Sequence, residues 1–237
     1  EAEHNRRRGA LITCIHPKDV PKVTVRWVTE DGEGAGTEWK EAVRSALAGQ
    51  EPVRLVDRDA AGQPAREVLV QPLVLPPLLL IAGGGHVGQA LAAQADLVGF
   101  AVTVIDDRSE FTDPSLYPAE ASTICGDIAG ELADLPFDDD VYVAIATRGH
   151  QHDRSALAAC LHRDCAYIGM IGSTRKVKMI RRDLLDSGEA TEQELDRVYA
   201  PIGLDIGAET VPEIATSIVA QLIAVRRTGD APRIPLD

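Results

Sequence analysis

Leu79-Leu80-Ile81-Ala82-Gly83-Gly84-Gly85-His86-Val87-Gly88 decides how this chain is read. An apolar run of strand length enters a G-x-G-x-x-G pattern. The residues after it have helical spacing, with Val87, Leu91, Ala95 and Val98 on one face and Gly99 as a stop. Strand, glycine turn and helix, in that order, are the context in which the pattern holds a nucleotide-type ligand. Gly83 permits the tight turn, Gly85 lets a pyrophosphate approach the backbone, and Gly88 lets helix and strand pack closely. The helix N-terminus offers free N–H groups to an anion. The alternative is that the glycines serve only the turn and the packing.

Downstream, apolar runs recur at residues 101–105, 122–125, 141–147 and 166–171, with a helical stretch at 152–162. Near-continuous apolar strands separated by helices indicate a parallel sheet covered on both faces. Right-handed crossovers make it a doubly wound, Rossmann-like α/β fold. Asp106 ends the second run, eighteen residues after Gly88, and is placed to accept hydrogen bonds from a ribose 2′-OH. Arg108 could receive a 2′-phosphate, so the pair leaves NAD and NADP both open, with Asp106 favouring NAD. Further on, Ser173 can cap a helix that runs to Asp186. Thr191/Glu194 and Thr210/Glu213 are capping-box pairs, the second with Pro212 in the first turn.

Upstream, residues 1–71 read as a smaller mixed α/β domain. Strands are expected at 10–15 and 22–28, a turn at 31–36, and a helix at 38–48 with Thr37 as N-cap. Residues 53–57 and 66–70 could pair as a hairpin. Pro72, Pro76 and Pro77 disfavour helix and suggest a linker at 72–77, with the ligand-binding domain at 78–237.

Composition narrows the function. The 237 residues carry 24 Lys+Arg against 37 Asp+Glu, a net charge of −13, which argues against a general nucleic-acid binder. No apolar stretch is long enough to span a bilayer, and the start Glu1-Ala2-Glu3 has no signal-peptide pattern. The four cysteines, Cys14, Cys125, Cys160 and Cys165, contain no C-x-x-C pair. Reduced thiols and a cytoplasmic location are therefore expected, and no metal site. There is no G-x-S-x-G elbow and no Walker lysine after the glycines.

Three further loops could carry chemistry. Arg148-Gly149-His150-Gln151-His152-Asp153 follows a strand at the end where doubly wound folds bind ligands. It reads as a ligand-facing loop, a polar loop that caps a helix, or, without further ligands in support, a metal site. Gly172-Ser173-Thr174-Arg175-Lys176 suits an oxyanion or phosphate, or else is an N-cap with a solvated basic face. Pro201-Ile202-Gly203-Leu204-Asp205-Ile206-Gly207-Ala208-Glu209-Thr210 is either an ordered loop over the crevice or a plain connection. His86, on the first helical turn, touches the ligand or faces solvent. His150, Ser173, Arg175 and Asp205 are expected to line one crevice with the glycine loop, with Arg175 and Lys176 holding a phosphate. In an NAD(P)-dependent oxidoreductase, His150 or His152 would be the acid/base.

Taken together, the segments 79–88, Val104-Ile105-Asp106-Asp107-Arg108, Thr147-Arg148-Gly149-His150-Gln151-His152-Asp153, Tyr167-Ile168-Gly169-Met170-Ile171-Gly172-Ser173 and 200–210 resemble the XdhC/CoxF family. These are accessory proteins of xanthine dehydrogenase and related molybdenum hydroxylases. The resemblance covers residues 66–229. It implies a Rossmann domain behind a smaller α/β domain. It also implies binding of molybdenum cofactor (molybdopterin) and its delivery to an apo-hydroxylase, without turnover. Gly83, Gly85, His86, Gly88, Asp106, Arg108, Arg148, His150, Ser173, Arg175, Lys176, Gly203 and Asp205 are the cofactor-binding candidates. A sulfuration step with a cysteine desulfurase as partner, and a homodimer, belong to the same expectation. The family's glycine–cysteine segments are absent from the N-terminal part, where Gly34-Ala35-Gly36-Thr37-Glu38 contains no cysteine.

Overall fold

The computed structural model describes residues 9–16, 22–29, 39–49, 51–73 and 75–236. The chain divides into two compact units, Glu1–Leu75 and Pro76–Asp237. The turn expected at 31–36, the cap Thr37 and the cysteine-free 34–38 segment lie outside the described residues.

The first unit contains β1 (Gly9–His16), β2 (Lys22–Thr29), α1 (Lys40–Gly49), β3 (Val53–Arg58) and β4 (Pro64–Leu73). The strands form an antiparallel sheet in the order β2-β1-β4-β3. Alternate residues Ala10, Ile12 and Cys14, with Val28, Val68 and Val70, are buried against Trp39, Val43 and Ala46. That is the period-2 pattern of a sheet covered on one face by one helix. The β3–β4 hairpin turns on Asp59, whose carboxylate accepts from Ala61 N and Gln63 N at 2.9 Å. β4 continues through Pro72 to Leu73, where the sequence suggests a linker. Its ladder to β3 ends at Val70, so beyond that point it is paired only with β1, a position that tolerates proline.

The second unit runs β5 (Leu78–Ala82), α2 (His86–Leu97), β6 (Ala101–Asp106), β7 (Ser122–Cys125), α3 (Ile128–Asp134), β8 (Val141–Ile145) and α4 (His150–Leu161). It continues with β9 (Tyr167–Met170), α5 (Thr174–Asp186), α6 (Glu192–Asp196) and α7 (Val211–Thr228). All five strands are parallel, in the order β7-β6-β5-β8-β9. Leu79, Ile81, Val102, Val104, Tyr142 and Tyr167 point to the face covered by α2 and α7. Leu80, Ala82, Ile105, Val143, Ile145 and Ile168 point to the face covered by α3, α4 and α5. With helices on both faces, the central strands β5 and β8 read as unbroken apolar runs, while the edge strand β7 does not.

Boundaries differ from the sequence reading in detail. β8 stops at Ile145 and α4 begins at His150, two residues early, because Gly149 (φ 88°) turns the chain straight into the helix. β9 is trimmed to Tyr167–Met170. α3 escapes the sequence reading; seven residues are too few to show a helical period, although Asp127 caps it by accepting from Gly130 N. Ser173, Thr191 and Thr210 cap as expected, the last two in full capping boxes. α7 lies along α2, where Thr216 Oγ1 donates to Gln94 Oε1 (3.0 Å) and Arg226 donates to Val98 O (3.0 Å).

Candidate functional site

β5 and β8 are neighbours whose following helices, α2 and α4, pack on opposite faces. That makes their carboxyl ends the topological switch point, where open α/β sheets hold ligands. The glycine loop stands there. Gly83 N donates to Ile105 O (2.8 Å), and Gly88 packs so close to the Gly83 carbonyl that a Cβ would overlap it.

The acid of the expected ribose site is already engaged. Asp106 is 1% exposed. Its Oδ2 accepts from Gly84 N (2.8 Å) and Arg108 Nη2 (3.0 Å), and its Oδ1 from Arg108 N (3.0 Å) and Nε (2.9 Å). Burial opposes its charge, but these bonds, from the Arg108 side chain first, hold its carboxyl below the ordinary 3.8. Four donors fill the carboxylate, so Asp106 locks the glycine loop and has no acceptor left for a ribose hydroxyl. Arg108 lies 3.9 Å from the Phe111 ring centroid. Tyr117 closes the same corner by donating to Phe111 O (2.5 Å) and Gly84 O (3.2 Å). Burial, then the Asp106 charge, pushes its phenol up to about 12, so it stays a donor.

The loop after β8 is also tied inward. Arg148 pairs with Asp107 (2.7 Å), joining the loops after β8 and β6 across the end of β5. Asp153 is fully buried in the first turn of α4. It accepts from Thr147 N (3.1 Å) and Thr147 Oγ1 (2.5 Å) and pairs with the Lys176 ammonium. Lys176 is therefore the counter-charge of a buried carboxylate, not the free phosphate ligand that its position suggests. His150 Nε2 faces Asp183 Oδ2 on α5 at 3.3 Å, while His86 and His152 are exposed. Among the described residues, no group of three or more His, Cys, Asp or Glu could hold a metal ion.

Beside β9 the chain builds a cavity of about 420 Å³. Ile171, Gly172 and Ser173 form one side, Pro201, Ile202 and residues 204–208 another, and Ile214, Ser217 and Ile234 complete it; Gly203 is not part of the lining. The volume is that of a small-molecule site, and its lining mixes apolar side chains with polar groups. Ser173 and Asp205 both line it; His150, Arg175 and the glycine loop do not. The sequence expectation of a single crevice thus resolves into two places on one rim.

The cavity loop is held by a residue that the sequence reading passes over. Gln221 of α7 is fully buried. Its Oε1 accepts from Tyr167 Oη (2.6 Å) and Gly203 N (2.8 Å), and its Nε2 donates to Gly203 O (3.0 Å) and Pro232 O (2.9 Å). Gly203 takes φ 94° against Ser217, a position closed to a side chain. The chain just before it runs beside β9, with Tyr199 N on Ile168 O (2.9 Å) and Ile202 N on Met170 O (3.0 Å). A signal for Gln221 does exist: it is a polar residue on the stripe of Ile214, Ile218, Leu222 and Val225.

Residues 79–222 match the family model described as the XdhC Rossmann domain. The protein YqeB of Escherichia coli (strain K12) is 34% identical over 175 residues, which is 73% of this chain and 31% of YqeB. A protein of Bacillus subtilis (strain 168), whose name makes it a component of a probable xanthine dehydrogenase, is 31% identical over 160 residues, 68% of this chain and 46% of that protein. The chain thus spans well under two thirds of either relative. A crystal structure named as a xanthine dehydrogenase, from Bacillus halodurans, superposes with a TM-score of 0.58 at 20% identity, covering 96% of this chain and 92% of that one. That likeness shows the fold.

Proposed function

The chain belongs to the XdhC family, and from that premise we propose that it is an accessory protein of a xanthine dehydrogenase-type molybdenum hydroxylase. In this reading it binds molybdenum cofactor in the cavity beside β9 and hands it to the apo-hydroxylase. The observation that carries the reading is the cavity: about 420 Å³, with Ile171, Ile202 and Ile214 as well as Ser173 and Asp205 among its lining.

The residues suit the pterin part of that cofactor. Ile171, Pro201, Ile202 and Ile206 offer apolar contact for a ring system. The Asp205 carboxylate would accept hydrogen bonds from a ring edge rich in N–H groups. Ser173 and the N-terminus of α5 would hold the phosphate. The redox chemistry that the cofactor supplies is exercised in the hydroxylase; this chain's residues bind, orient and release. A carrier needs no acid/base pair, and His150, held at Asp183, is not required to act as one.

The test is to purify the protein from a molybdenum-replete host, oxidise it, and measure pterin fluorescence. Wild type should carry pterin. Asp205→Ala should lose most of it while keeping its circular dichroism. An Asp205→Ala protein that retains a full complement of pterin would remove the cavity from the function.

A further inference from the structure

We infer that Arg108 excludes nicotinamide dinucleotides from the glycine-loop crevice, so that a Rossmann unit with a full G-x-G-x-x-G pattern takes no NAD(P). In a dinucleotide-binding unit the acid that ends the second strand receives the ribose hydroxyls of the adenosine half. Here that acid is Asp106, and the Arg108 guanidinium lies against both of its oxygens. The two backbone N–H groups of Gly84 and Arg108 supply the other bonds. A carboxylate offers about four acceptor positions, and all four are used.

The guanidinium is also fixed from a second side, stacked 3.9 Å from the centroid of Phe111. The segment carrying Phe111 rests on the glycine loop itself. The Phe111 carbonyl and the Tyr117 hydroxyl stand so close to Gly84 that a Cβ there would overlap both. Arg108, Phe111 and Tyr117 therefore fill the corner through which adenosine would reach Asp106. A 2′-phosphate would fare no better: it would face the Asp106 and Asp107 carboxylates across an Arg already neutralised by them. Gly85 alone stays open, with nothing within 4 Å of where a side chain would begin. The fold keeps its phosphate-loop geometry and loses the nucleoside end of the site. This inference stands apart from the pterin reading, since a chain that carried no pterin would still reject the dinucleotide.

The experiment is a titration of the full chain with NADH and NADPH, read by nucleotide fluorescence and by calorimetry with NAD and NADP. Wild type should show no saturable binding. Arg108→Ala frees the carboxylate and should bring in saturable NADH binding, the charge-assisted bonds that a ribose could then make being worth about 10- to 100-fold in affinity. Phe111→Ala removes the stacking partner and leaves the ion pair, so it should gain less. Circular dichroism checks that each variant is folded. Micromolar NADH or NADPH binding by wild type overturns the inference whatever the variants do. So does an Arg108→Ala protein that folds and still ignores NADH.

Discussion

Replacing Gln221 by Leu keeps the volume of the side chain and removes four hydrogen bonds at once. Pro232 is exposed, so its carbonyl finds water. Gly203 N, Gly203 O and the Tyr167 hydroxyl are buried and find nothing. Each buried group left without a partner costs about 1–3 kcal/mol, and partial relaxation of the loop recovers some of it, so the expected loss is about 3–5 kcal/mol. Tyr167→Phe deletes one donor and leaves Gln221 Oε1 still bonded to Gly203 N, at a cost of about 1 kcal/mol. The double variant decides the argument. With Gln221 gone, losing the orphaned hydroxyl should cost nothing or restore stability, a coupling of about 1–2 kcal/mol. Urea unfolding of the four proteins gives the cycle, and hydrogen exchange at the Gly203 amide reports the loop directly. A Gln221→Leu protein that loses less than about 1 kcal/mol, or whose Gly203 amide exchanges as in wild type, refutes the clamp.

Lys176→Met strands the Asp153 carboxylate and should cost about 3–5 kcal/mol, whereas Lys176→Met with Asp153→Asn should cost clearly less, as read in the same urea assay. The Asp106 carboxyl is held below 3.8, so its contribution is complete above that value and is lost as pH falls through the lower native one; the gap in stability between wild type and Asp106→Asn should shrink on acidification below pH 3.8 and stay constant above it. Burial, with Cys165 adding to it, pushes the Cys160 thiol up to about 12, while Cys125 is exposed, so a thiol reagent at mildly alkaline pH should label Cys125 first and Cys160 only on unfolding, by mass spectrometry of the peptides. Gly88→Val forces a branched side chain onto the Gly83 carbonyl and should cost about 1–3 kcal/mol in thermal unfolding while helix content by circular dichroism is retained.

Much of this architecture is written in local pattern. The inner strands are legible because a strand buried on both faces must be apolar throughout, and Thr191, Thr210 and Ser173 announce their helices because a free helix end needs an acceptor. Residue type, however, gives charge without giving partner. Asp106 looks like a ligand residue because it ends a strand, and Lys176 because it stands on the first turn of the helix that follows one, yet each spends its charge on this chain, on Arg108 and Asp153. Those pairs join residues 2 and 23 apart, and nothing in the spacing says which of many candidate partners the fold selects. The cavity is half visible in the sequence: Ser173 and Asp205 are expected to share a crevice and do share one, but its walls come from four separate stretches brought together only by the path of the chain beside β9.

That α7 follows all five parallel strands in sequence bears on the order of synthesis. The sheet face formed by Leu79, Ile81, Val104, Tyr142 and Tyr167 is covered partly by α2 and partly by Ile218, Leu222 and Val225. The strands leave the ribosome well before that helix does. Until residues 211–228 emerge, the growing domain carries an uncovered apolar surface and a loop at Gly203 with no Gln221 to hold it. A nascent chain at that stage is a natural client for a holding chaperone and a substrate for proteases. Any shortening before α7 should therefore turn up as aggregate or fragments rather than as a smaller folded domain.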